Sequence, residues 1–143
     1  MKMSTRSRYG LRFMYELALR YKEGPVLLRE IAEHQDISEK YLSKLVIPLK
    51  SAGLINAYRG AHGGYSLAEL PESITVKRIV DVLEGDTSPV ECVRDPSICS
   101  RHEACPTREV WSGLDKTISA YLQSINLDTV VQNNRNRQFT YVI

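Results

Sequence analysis

No apolar run in the sequence approaches the ~20 residues that a membrane-spanning helix requires. The basic opening stretch, residues 1–12, is followed by neither an apolar segment nor a small-residue cleavage site. A membrane span and a secretory leader are therefore not expected, and a cytoplasmic location is. Internal repeats and low-complexity segments are also lacking, which removes solenoids and linker-dominated chains. Cysteine is scarce, with three residues in 143. An odd count without an export signal does not build a disulfide framework. Paired carboxylates, nucleophile-elbow glycines and phosphate-cradling loops are missing too, so neither a hydrolase nor a nucleotide-using enzyme is expected. An electron carrier or thiol enzyme would need a convergent catalytic set, and a lone Cys99/His102 pair does not supply one.

The length suggests one domain with an appendage. A composition of 43% hydrophobic and 25% charged residues permits an ordinary core. Net charge is only +2, but it is unevenly placed. Residues 1–60 hold 11 Lys and Arg against 6 Asp and Glu, a balance of +5; residues 61–143 hold 8 against 11, a balance of −3. A basic half joined to an acidic half suggests that one part meets phosphate and the other does not.

A helix is expected from Ser4 or Thr5 to about Lys22, burying Met14, Leu17, Ala18 and Tyr21, and Gly24-Pro25 ends it. A second runs from Leu28 to about His34, turns through Gln35-Asp36-Ile37, and gives way to a third capped by Ser38. Leu42, Leu45 and Leu49 form the core stripe of that third helix, and Pro48 should bend it or end it early. The period then changes. Residues 54–58 and 65–67 read as paired strands around the loop Arg59-Gly60-Ala61-His62-Gly63-Gly64. Two short helices, a tight turn and a glycine-tipped hairpin are the layout of a winged helix-turn-helix. Thr75 caps a further helix to Glu84, closed by Gly85.

Residues 86–105 lack periodicity and carry Cys92, Cys99 and Cys105. Pro106 fits a first helical turn, and Trp111, Leu114, Ile118, Tyr121 and Ile125 then recur at intervals of 3, 4, 3 and 4. That spacing is an a/d seam, expected to pair two protomers, with docking against the same chain's first helix as the alternative. The expected class is mainly α with a small β-hairpin. It divides into a DNA-binding domain over 1–85, a cysteine-bearing sensor loop over 86–105, a dimerisation helix over 106–127 and a flexible polar tail over 128–143.

A recognition helix needs donors and acceptors opposite its core stripe. Ser38, Lys40, Tyr41, Ser43 and Lys44 meet that need, with Ser38, Lys40 and Tyr41 at the end that usually reaches bases and phosphates. Lys50 lies farther along and would at most touch phosphate. Arg59, beside flexible glycines, is the wing residue suited to a narrow minor groove, and His62 at the tip could assist through phosphate.

The opening segment from Met1 to Arg12, the stretch from Ser38 to Leu54 and the wing from Arg59 to Leu67 together resemble the IscR/NsrR/CymR family of bacterial regulators. The resemblance covers roughly residues 1–125. It implies a homodimeric winged-helix protein that binds a double-stranded DNA operator. It maps the family's wing arginine onto Arg59 and its recognition-helix serine and tyrosine onto Ser38 and Tyr41. It also implies an iron–sulphur cluster on Cys92, Cys99 and Cys105, with 2Fe–2S ahead of 4Fe–4S and zinc a minor alternative. The fourth ligand does not carry over: Arg108 stands where 2Fe–2S members place a histidine, and Arg8 where certain 4Fe–4S members place an acid. His102 is the local substitute, ahead of Glu91, Glu103 and Glu109. The alternative is a cluster-free regulator of the same fold, controlled by thiol oxidation or by a regulatory protein partner.

Overall fold

The computed structural model describes residues 2–140; Met1 of the opening motif and residues 141–143 of the expected tail lie outside it. Helix α1 (Thr5–Leu19) begins where the Ser4 hydroxyl accepts the N–H of Ser7 at 3.2 Å. It ends three residues before the expected Lys22, because Lys22 and Gly24 both take positive φ and turn the chain. Phe13, Met14, Leu17 and Ala18 form its buried stripe, while Tyr21 is only partly buried. Helix α2 (Leu28–Gln35) buries Ile31 and Ala32 and stops at Asp36 in the left-handed region.

Helix α3 (Glu39–Ser51) starts at Ser38, whose hydroxyl accepts the Tyr41 N–H at 3.3 Å. It continues through Pro48 to Ser51, so the proline does not end it early. What Pro48 removes is the N–H that would have reached the Lys44 carbonyl. Strands β1 (Ile55–Tyr58) and β2 (Gly64–Leu67) pair antiparallel in the register Ile55 to Leu67. Leu67 and Ile55 face the core, and the outer residues carry the wing. A 3₁₀ turn (Pro71–Ser73) leads to α4 (Val76–Glu84), capped by the Thr75 hydroxyl on the Arg78 N–H at 3.2 Å. Helices α1 and α4 approach so closely that a Cβ at Gly10 would run into the buried Leu83 side chain.

Between α4 and the long α6 (Arg108–Ser124) the chain forms only a single turn, α5 (Glu91–Arg94), and a 3₁₀ turn (Pro96–Ile98). Pro106 precedes the Thr107 cap of α6 and is not in its first turn as expected. After α6 the chain folds back. The Val76 N–H donates to the Ile125 carbonyl at 2.8 Å, and the Leu127 N–H to the Ile74 carbonyl at 3.0 Å.

The expectation of a fraying tail from residue 128 is corrected: helix α7 (Leu127–Thr140) starts there, with the Asn126 side chain accepting the Thr129 N–H at 2.8 Å. Leu127 and Val131 enter the main core, and Asn134 donates to the Tyr15 hydroxyl at 2.7 Å. Two apolar anchors one turn apart suffice to dock an otherwise polar helix. Among the described residues no helix is long and apolar enough to cross a membrane.

Candidate DNA interface and cysteine loop

The outer face of α3 is set by its core stripe. With Leu42, Leu45, Val46 and Leu49 buried, Lys40, Ser43 and Lys44 point to solvent beside the exposed Ser38. Ser43 donates its hydroxyl to the Lys40 carbonyl at 2.6 Å, which leaves its lone pairs outward. Tyr41 is half-buried and meets Tyr9 of α1 edge-on, with ring centroids 5.8 Å apart at 88°. Arg12 lies over that Tyr9 ring at 5.4 Å. Below the turn, Glu16 is 5% exposed and accepts from Gln35 at 2.7 Å, with His34 Nδ1 3.6 Å from its other oxygen. Helix α1 therefore holds both sides of the turn between α2 and α3 through aromatic and hydrogen-bonded contacts.

The wing is held as tightly at its root. Val26 and Tyr65 exchange both backbone hydrogen bonds at 2.8 Å. Gly64, at φ 131°, passes so near Val26 that a Cβ there would overlap the Val26 carbonyl. At the tip the Gly63 N–H closes a turn on the Gly60 carbonyl at 3.0 Å, leaving Arg59 and His62 exposed. A cleft of about 670 Å³ runs between the wing, the start of α2 and one side of α3, and Arg29, Glu39, Lys50, Tyr58 and Arg59 line it.

Cations without an ion-pair partner among the described residues occur on several parts of the surface, Arg8, Arg12, Lys116 and Arg137 among them, and a group of them lies on this face. Arg20, Lys77, Arg78 and Arg94 each meet a carboxylate within 3.7 Å or less. Among the described residues, Arg29, Lys40, Lys44, Lys50 and Arg59 pair with none. Cations left without counter-charges on one face are what a phosphate backbone requires.

In the loop, Cys92 lies on α5, Cys99 follows the 3₁₀ turn, and Cys105 lies just before α6; all three are free and half-buried. His102 turns its Nδ1 to the Cys99 carbonyl at 3.1 Å and its Nε2 towards Glu103 at 3.9 Å. Among the described residues, no three of His, Cys, Asp and Glu converge as a metal site would require. The donor set as it lies does not fit a cluster, and Arg108, next to Cys105 in the same depression, offers no ligating atom. Arg8 is remote from the question: it is exposed on α1 and bonded to Thr5 at 3.1 Å. The Thr107 hydroxyl, 3.4 Å from Cys105 Sγ, acts with the Thr107 and Arg108 N–H groups and the Arg101 charge. Together they hold this thiol below its ordinary pKa against a smaller opposing effect of burial.

Comparison with known proteins bears on both regions. The sequence model of the Rrf2 family, described as an iron-dependent transcriptional regulator, matches residues 3–133. The chain belongs to the Rrf2 family. It is 41% identical over 142 residues to the HTH-type transcriptional regulator CymR of Bacillus subtilis, covering 99% of this chain and 98% of that one. It is also 41% identical to protein Rrf2 of Nitratidesulfovibrio vulgaris, over 93% and 89% of the two chains. The structure of B. subtilis CymR, described as a global cysteine regulator, superposes with a TM-score of 0.79 over 93% of this chain and 98% of that one. T. potens IscR, 37% identical, gives the same score over 96% and 91%. The fold is thus the winged helix of Rrf2 regulators, and the molecule is a transcriptional regulator, not an enzyme.

Two features of this Rrf2 chain escaped the reading of its sequence. In sequence Arg29 reads as a solvated residue on a short amphipathic helix; only the fold brings it to the wing cleft with Lys50. Ile47 is 65% exposed on the outer side of α3, although the helix's other aliphatic residues, Leu42, Leu45, Val46 and Leu49, are buried. Its signal was available, since it falls off the Leu42, Leu45, Leu49 stripe.

Proposed function

We propose that this Rrf2 regulator binds operator DNA in the cytoplasm as a homodimer and changes its binding through the chemistry of Cys92, Cys99 and Cys105. The observation that carries the DNA reading is the group of unpaired cations around α3 and the wing. Ser38, Lys40, Tyr41, Ser43 and Lys44 present the recognition surface to the major groove. Arg59 enters the adjacent minor groove with His62 beside it. Arg29 and Lys50, behind Arg59, hold the flanking backbone. The α6 seam pairs the protomers: Trp111 and Tyr121 are 40% and 65% exposed, and no residue of that helix is buried within the protomer.

For the input, the arrangement of the loop supports thiol chemistry, because the three cysteines are free and half-buried and, among the described residues, do not converge with other donors as a metal site would require. A second reading, a 2Fe–2S cluster, draws support from the iron-dependence in the description of the Rrf2 family. It would require the loop to close on a further donor such as His102. An operator selected from a random DNA pool, then footprinted with reduced, oxidised and anaerobically purified protein, tests the proposal. The expected result is a palindromic footprint whose affinity depends on the state of the protein. Iron and sulphide in matched amounts with visible charge-transfer bands would select the cluster reading. Identical footprints and affinities in all states would overturn the sensing role, and regulation that survives alanine at all three cysteines would point to a regulatory protein partner.

A further inference from the structure

A second cleft, of about 430 Å³, opens between α1, the end of α2 and α7. Its volume lies in the range of small-molecule sites, about 300–1,000 Å³. Arg8, Arg12 and Arg137 surround it, with the amides of Asn133 and Asn134 and an apolar floor that includes Tyr15. No carboxylate lines it. Tyr15 is fixed by the hydrogen bond from Asn134, and burial, with the nearby Glu16 charge, pushes its hydroxyl above the usual pKa, so it stays protonated. Three guanidiniums around one concavity repel one another, and an oxyanion among them would relieve that repulsion through charge-assisted bonds. The lack of an acid to receive an ammonium favours a simple carboxylate or phosphate over a free amino acid.

The wall of the cleft reaches the helix-turn-helix directly. Arg12 donates its Nε to the Gln35 side chain at 3.0 Å and a terminal nitrogen to the Gln35 carbonyl, the last residue of α2. Both Arg8 and Arg12 lie over Tyr9, at 6.0 and 5.4 Å, and Tyr9 abuts Tyr41 of α3. An anion that engages Arg12 competes with its hold on Gln35 and Tyr9.

We infer that this cleft binds a small carboxylate- or phosphate-bearing molecule, and that its occupancy shifts the pose of α3. The inference uses no cysteine and rests on the proposed DNA reading only for its output.

The test begins without DNA, so that it stands apart from that reading. The protein is titrated calorimetrically with citrate, succinate and inorganic phosphate at constant ionic strength, with chloride as the reference. Saturable binding of one anion per chain is expected for at least one probe, weakened at least tenfold in Arg137→Ala and abolished in the Arg8→Ala/Arg137→Ala double variant. Both positions are exposed, and an unchanged thermal transition without anion verifies the fold. Affinity for the selected operator should then change about fivefold or more at saturation, the lower end of typical coupling, and not in the variant. Heats indistinguishable from chloride for all three probes, or binding that survives the double variant, would overturn the site. Equal weakening of DNA binding by Arg137→Ala with and without anion would instead make the cleft part of the DNA footprint, which also overturns it.

Discussion

The two halves of the molecule are built to different standards of completeness. Residues 2–84, with the returning Leu127 and Val131, supply every buried residue of the core, and Phe13, Met14, Ile31, Leu42, Leu49 and Ile79 are fully enclosed. From residue 85 to residue 126 no residue is fully buried, although Cys92, Cys99, Cys105, Leu114 and Ile118 are half-buried. The DNA-reading half thus has a closed core, while the cysteine loop and α6 leave Ile98, Val110, Trp111 and Tyr121 exposed. The lesson is a division of labour. A reading head needs fixed geometry, and the signal response proposed for the cysteine segment would require a part that is cheap to rearrange.

The largest test of this contrast is in stability. Phe13→Ala should cost about 3–5 kcal/mol, as for other enclosed aromatic side chains, measured by urea denaturation. Trp111→Ala on α6 should leave protomer unfolding nearly unchanged and lower the dimer association constant in sedimentation. A large loss of protomer stability from Trp111→Ala would break the comparison. Next in size is the wing: Arg59→Ala should weaken operator binding by about 1–3 kcal/mol. Arg29→Ala and Lys50→Ala should each weaken all DNA sequences alike and reduce the salt slope by about 1. Anisotropy titrations against specific and random duplexes separate the two behaviours. Ser38→Ala removes the α3 cap and should cost about 1 kcal/mol, visible as a lowered thermal midpoint that Ser38→Asn restores.

The smallest effect is a pH dependence that belongs to the reading half. Burial alone would raise the Glu84 carboxyl, but the Ser4 hydroxyl and N–H, with Ser7 and Arg6, outweigh it and leave it below its ordinary 4.5. The Ser4 N–H lies 2.6 Å from Glu84 Oε1. A carboxyl depressed in the folded state contributes stability that is present above its unfolded value and lost as pH falls through the folded one. Stability should therefore decline below about pH 4.5, and Glu84→Gln should flatten that decline without altering stability's dependence on pH near neutrality.

Much of the reading half was legible because its signals are periodic. The stripe of Leu42, Leu45 and Leu49, the caps Ser4, Ser38 and Thr75, and the glycines around Arg59 each specify a local conformation that the fold adopts. Helix α7 was not legible, because Leu127 and Val131 are its only fully buried apolar anchors among the described residues, within a polar stretch. The Asn126 cap and Asp128 in the first turn were the signals to weigh there. Spatial relations in the loop were not legible either. Spacing places three thiols in one segment, but with no repeating pattern it cannot say whether Cys92, Cys99 and Cys105 meet, and as folded they do not form a metal site. The placing of Arg29 and Lys50 along one cleft beside the wing depends on tertiary structure that no local pattern carries.

The central claim is that unpaired cations on α3 and the wing bind DNA, and that the cysteine half only adjusts this. The salt dependence of operator affinity, measured for the wild type and for the Cys92→Ala/Cys99→Ala/Cys105→Ala variant, tests it most directly. The account predicts a steep linear fall of log affinity with log salt, corresponding to several phosphates at about 0.9 each. It predicts the same slope for the variant, with the response to oxidation gone. A flat salt dependence, or loss of DNA binding in the cysteine variant while its fold is intact, would contradict it.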